Sequence, residues 1–91
     1  MASSYRFVVT GRVQGVGFRY SAQRKAEQLK VTGWIANRPD GAVEGVACGD
    51  EAVLGRFNTW LSDGPPGAQV HTLEWKATHE FVTEGFHVRR G

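Results

Sequence analysis

Polar and apolar positions alternate along residues 5–13, YRFVVTGRV. Tyr5, Phe7, Val9 and Val13 fall on one side, and Arg6, Thr10 and Arg12 on the other. A period of two predicts a strand with one buried face. Residues 14–18, QGVGF, break the alternation. From Phe18 the apolar positions become Phe18, Ala22, Ala26 and Leu29, one face of an amphipathic helix. Arg19, Gln23, Arg24, Lys25, Glu27 and Gln28 make up its largely solvated side. Residues 31–37, VTGWIAN, read as a second strand, followed by Arg38-Pro39-Asp40-Gly41. Proline presets the φ of a turn's second position, aspartate tolerates the third, and glycine accepts a positive φ at the fourth. Residues 42–48, AVEGVAC, therefore return as a hairpin partner. Gly49-Asp50 offers a turn and an N-cap. Val53, Leu54, Phe57, Trp60 and Leu61 then predict a second helix, stopped by Gly64-Pro65-Pro66-Gly67. Residues 70–79 form a fourth strand, and residues 86–90 a short fifth.

The order is β-α-β-β-α-β with an extra strand at the end. It predicts an α+β, ferredoxin-like sandwich: an antiparallel sheet with two helices on one face. Residues 1–91 are expected to form a single domain with a modest core. The architecture implies no activity, because many chemistries use it.

Composition narrows the class. At 41% hydrophobic and 22% charged residues, the chain is ordinary globular protein rather than disordered. Twelve glycines in 91 residues is an excess, since about 7% is usual. Several cluster with Val and Phe near the N-terminus, which is not linker composition. The one cysteine, Cys48, excludes an internal disulfide and a multi-cysteine zinc site, and favours a reducing, cytoplasmic setting. The first residues show no basic-then-apolar leader, and no apolar run nears the about 20 residues of a membrane span. A net charge of +2 allows an anionic ligand without demanding nucleic acid.

The most informative stretch is Gly11-Arg12-Val13-Gln14-Gly15-Val16-Gly17-Phe18-Arg19. Gly15 and Gly17 stand where a strand ends and a helix begins. Such a loop can turn its N–H groups inward as a nest for an anion, and the helix N-terminus adds free N–H groups and a favourable dipole. Arg19, in or next to the first helical turn, can fork onto two phosphate oxygens. No Gly-Lys-Ser/Thr follows, and Tyr20 stands where G-x-G-x-x-G needs glycine. The loop thus suits one phosphate rather than a nucleotide. The same glycines also fit a bare tight turn with Arg19 on a solvated face, and the pattern alone does not separate the two.

These residues resemble the signature of the acylphosphatase family. A second similar block is Gly33-Trp34-Ile35-Ala36-Asn37 with Asp40-Gly41-Ala42-Val43-Glu44-Gly45. Looser ones are Trp60-Leu61 to Gly64-Pro65-Pro66, and Phe86-His87-Val88-Arg89. Together they span about residues 5–90. The resemblance implies hydrolysis of acyl phosphates to a carboxylate and inorganic phosphate, without metal or other cofactor. It implies that Gly15, Val16, Gly17, Phe18 and Arg19 hold the phosphate and that Asn37 orients the attacking water. Inorganic phosphate is then product and inhibitor. A monomer is expected, with no membrane or nucleic-acid partner.

Other candidates have plain structural readings. His71, His79 and His87 lie in the C-terminal strands and read as surface or rim residues. Cys48 reads as a small buried residue. Asp40 serves the turn, and Glu44 reads as an exposed strand residue. Trp34, Trp60 and Trp75 read as packing. An RNA-recognition module of this topology displays aromatics on its central strands, and residues 42–48 contain none. A phosphate-sensing domain that binds without turnover is the other alternative; Arg19 and Asn37 together favour turnover.

Overall fold

The computed structural model describes residues 2–90. Its elements are β1 (Ala2–Arg12), α1 (Phe18–Leu29), β2 (Thr32–Asn37), β3 (Val43–Asp50), α2 (Glu51–Asp63), β4 (Gln69–Ala77) and β5 (Phe86–Arg89). The strands make one sheet in the order β4-β1-β3-β2-β5.

Strand alternation decides the core. Phe7 and Val9 of β1, Ile35 of β2 and Val43 and Ala47 of β3 are buried together with Phe18, Ala22 and Ala26 of α1 and Leu54, Phe57 and Leu61 of α2. The helices thus pack on one sheet face. Phe57 sits at the centre, edge-on to both Phe7 and Phe86 at centroid distances of 6.0 and 5.6 Å. Burying one such side chain contributes about 1.5–3 kcal/mol.

Three expectations need correction. The sheet is mixed, because β5 runs parallel to β2, while the other neighbouring strands are antiparallel. The reason is the crossover. β4 lies on one edge, and the chain crosses under the sheet to the other edge before β5 begins, so β5 sets out from the end where β4 stopped. Secondly, no turn separates β3 from α2: β3 runs through Asp50, which is the N-cap residue of α2 as expected but makes no side-chain capping hydrogen bond among the described residues. Thirdly, β4 ends at Ala77 rather than at residue 79.

The crossing segment covers the second face. Trp34, Ala36, Val46 and Cys48 form a smaller buried cluster, with Val82 packed against it. The segment is held by polar contacts. Trp34 Nε1 donates to Glu80 Oε2 at 2.7 Å, Thr32 Oγ1 donates to the Val82 carbonyl at 2.5 Å, and Val82 N–H donates to Cys48 Sγ at 3.3 Å. The Ser4 hydroxyl donates to the Glu80 carbonyl.

Candidate active site

The C-terminal ends of β1, β2 and β5 meet at one end of the sheet, since β1 and β2 both run antiparallel to β3 and β5 follows β2. Beyond β1 the chain turns through Gly15 (φ 76°) and Gly17 (φ 74°). A side chain is strained at such angles, which is why glycine serves here. Crowding is not the reason: a Cβ built on either residue meets nothing within 4 Å among the described residues, so the space above the loop is open. Gly17 is the N-cap of α1 and offers no side chain to its free N–H groups. Phe18-Arg19-Tyr20-Ser21 carries no acid to occupy them either. The positive end of the helix therefore has no capping side chain or first-turn acid of its own.

The loop opens on a cleft of about 170 Å³ lined by Val13, Gly15, Gly17, Phe18, Arg19, Tyr20 and Asn37. Sites for drug-sized ligands run from about 300 to 1,000 Å³, so this cleft suits a small group. Asn37, the last residue of β2, faces the same space as Arg19 although it stands 18 positions further along the chain. Its place is set by pairing with Val43 and by the turn behind it, where Arg38 N–H donates to the Ala42 carbonyl at 2.8 Å and Ala42 N–H to Asp40 Oδ1 at 3.1 Å. Arg19 is half-buried, and its Nη1 donates to the Arg89 carbonyl at the end of β5 at 3.1 Å. Arg89 in turn lies 4.3 Å over the Trp34 ring.

Among the expected phosphate-loop residues, Val16 does not line the cleft. Its side chain packs on the core. Phe18 lines the cleft but is buried at 2% exposure, with its ring against Trp60 at 5.5 Å. Val13 and Tyr20 line it without having been singled out from the sequence. Tyr20 is 55% exposed, and its ring centroid lies 5.9 Å from the Arg19 guanidinium carbon. Its exposure in the first turn follows from helical phase, but only the fold says which surface it borders.

The remaining candidates lie elsewhere. His71 and His79 are exposed on and beyond β4, and His87 Nε2 lies 2.9 Å from the Glu84 carbonyl. Cys48 is buried, 3.2 Å from Ser4 Oγ. Asp40 pairs with Arg38 at 2.7 Å and Glu44 with Arg6 at 2.6 Å, so each carboxylate already has its cation. Among the described residues no three His, Cys, Asp or Glu side chains gather as a metal-ligand set. No helix there is long and apolar enough to cross a membrane.

Comparison with known proteins supplies the family. The acylphosphatase family profile matches residues 5–88. The chain belongs to the acylphosphatase family. A relative named acylphosphatase in Alkalilimnicola ehrlichii is 49% identical over 88 residues, which is 97% of this chain and 99% of that one. The solved acylphosphatase of Coxiella burnetii superposes with a TM-score of 0.92 at 40% identity, covering 97% of this chain and 93% of that one. That of Bacillus subtilis superposes at 0.91 and 38%, covering 98% and 99%. An acylphosphatase is a hydrolase of acyl phosphates, mixed anhydrides cleaved to a carboxylate and inorganic phosphate, and that is the activity of this chain. The two solved relatives share the sandwich described above.

Proposed function

We propose that the acyl phosphate is cleaved by direct attack of water, with the phosphoryl group held by the 15–19 loop and Arg19, and the water oriented by Asn37. The observation that carries this reading is the shared cleft: Arg19 and Asn37 line one small space at the N-terminus of α1. Backbone N–H groups of the loop and the forked Arg19 guanidinium take up the charge of the phosphoryl oxygens. Asn37 offers an amide donor and a carbonyl acceptor, so it can hold water without acting as a base. The water oxygen bonds to phosphorus as the bond from phosphorus to the acyl oxygen breaks. The electron pair leaves with the carboxylate, and the water's proton passes to a phosphoryl oxygen. A carboxylate is a good leaving group, so positioning and charge stabilisation are what the protein has to supply.

The reading uses no metal or other cofactor and no nucleic acid. The unit is the single domain of residues 1–91, acting as a monomer. The setting is cytoplasmic, in keeping with a single cysteine that can form no internal disulfide.

Phosphate release from benzoyl phosphate, followed with and without EDTA, tests it. Turnover is expected in both, with inorganic phosphate as a competitive inhibitor. Activity that disappears with EDTA would overturn the metal-free mechanism. Asn37→Ala is expected to lower kcat by about 100-fold or more, as for loss of one positioned transition-state donor, with phosphate inhibition retained. Equal loss of both would remove Asn37 from its water-orienting role.

A further inference from the structure

The two sides of the cleft come from strands that do not touch. β1 leads into the glycine loop and β2 ends at Asn37, but β3 lies between them. Their pairing with β3 stops at the same place, Val9 opposite Val43 on one side and Asn37 opposite Val43 on the other. Beyond Val43 the sheet no longer fixes how far the loop stands from the turn at residues 38–42.

Gln14 spans that gap. Its side chain is half-buried, and Nε2 donates to the Arg38 carbonyl at 2.8 Å and to the Ala42 carbonyl at 3.0 Å. A side-chain amide nitrogen carries two N–H groups, so both bonds are made together. Both partners are acceptors, which settles the orientation of the amide: its oxygen in that place would face two carbonyls. The two carbonyls are those that close the turn, since Arg38 N–H donates to the Ala42 oxygen at 2.8 Å and Gly41 N–H to the Arg38 oxygen at 3.2 Å. Gln14 is therefore bound across the neck of the turn. In the chain it directly precedes Gly15, and Arg38 directly follows Asn37. Two covalent steps and two hydrogen bonds thus join the phosphate loop to the asparagine.

We propose that Gln14 is a positioning residue for Asn37: it ties the turn behind Asn37 to the loop that holds the phosphoryl group, and so sets the distance from the Asn37 amide to phosphorus. It does not itself line the cleft. The inference rests on the roles proposed above for the loop and for Asn37.

A double-mutant cycle separates this role from a merely structural brace. Gln14→Met keeps the length of the side chain and removes both donors; Gln14→Glu keeps the shape and, when ionised, sets a negative charge against two carbonyls. Thermal melts first establish that the variants are folded at the assay temperature. Benzoyl phosphate turnover and inhibition by inorganic phosphate are then measured for each. Gln14→Met is expected to lower kcat about 10-fold or more, since small misplacements of a catalytic group are costly. The phosphate inhibition constant is expected to stay within about threefold of wild type, because the lost interaction acts on the chemical step. In an Asn37→Ala background the same substitution should change kcat by less than about twofold, since nothing is left to position. If Gln14→Met and Gln14→Glu do not fold, Gln14→Asn, with the donors on a shorter arm, carries the same cycle. An unchanged kcat, an equal loss with and without Asn37, or phosphate inhibition that weakens in step with kcat would overturn the proposal. If Asn37→Ala alone turns over like wild type, the water-orienting role falls and this one with it; if Asn37→Ala is impaired but the cycle is additive, only the Gln14 inference falls.

Discussion

Replacing Arg19 by lysine separates charge from geometry. Arg19 stands half-buried in the first turn of α1, with Nη1 committed to the Arg89 carbonyl at 3.1 Å. A guanidinium has five N–H donors in a planar fork, so it can keep that bond and still present two donors to phosphoryl oxygens. An ammonium keeps the charge but is a compact donor on a flexible stem, and cannot serve both sites with the same geometry. The loss is about one hydrogen bond between charged groups, or about 1.5–3 kcal/mol. At about 1.4 kcal/mol per factor of ten, the affinity for phosphate falls about 10- to 150-fold. The bond to Arg89 is solvent-exposed and contributes about 0.5–1.5 kcal/mol, so the melting temperature falls by about 2–12 °C. The assay is inhibition of acyl phosphate hydrolysis by inorganic phosphate, beside a thermal melt of the same sample. An inhibition constant within about threefold of wild type would refute the reasoning. The backbone N–H groups would then suffice for the anion, and Arg19 would serve only to anchor β5.

Gly45→Ala tests the fit of β3 between its neighbours. An added Cβ would overlap the Trp34 carbonyl oxygen and come within 2.5 Å of Phe7 Cζ, and overpacking of this kind costs about 1–3 kcal/mol. Gly55→Ala is the control: residue 55 is exposed in α2, its added Cβ meets nothing within 4 Å among the described residues, and helix propensity favours alanine by about 0.8–1 kcal/mol. The first variant should melt below wild type and the second above it; the reverse order would show that the sheet face is looser than these distances. Asp40 supplies a pH prediction. Its carboxylate accepts from Ala42 N–H and, secondarily, from the Arg38 guanidinium, and these hold its pKa below the usual range near about 4. A lowered native pKa means stabilisation that is present at neutral pH and lost as pH falls through that value. Asp40→Asn should therefore melt below wild type at neutral pH, with the gap closing in acid; melting curves with an equal gap at both ends of the range would contradict the assigned contacts.

The element order and the faces of the helices could be read from one dimension, because burial leaves a period of two or 3.6 in the residues themselves. Phe7 and Val9, or Ala22 and Ala26, are buried for the reason their spacing suggests. The glycine loop was legible too, since the positive φ of Gly15 and Gly17 is a local demand that few other residues meet. Residues 78–85 were not. They cover the second face of the sheet through bonds to Thr32, Trp34 and Cys48 and a single packed Val82, and such contacts impose no period on the segment that makes them. The parallel pairing of β5 escaped for a related reason. Alternation records which side of a strand is buried, whereas its neighbour is chosen by the path of the chain around the core. The cleft itself belongs to that second kind of information. Arg19 and Asn37 were each marked by motif, but Asn37 reaches the loop only because β1 and β2 run the same way on either side of β3. Gln14 finds the Arg38 and Ala42 carbonyls for the same reason. Local spacing determines what each element is; the proximity of groups far apart in the chain is set only when those elements share one core.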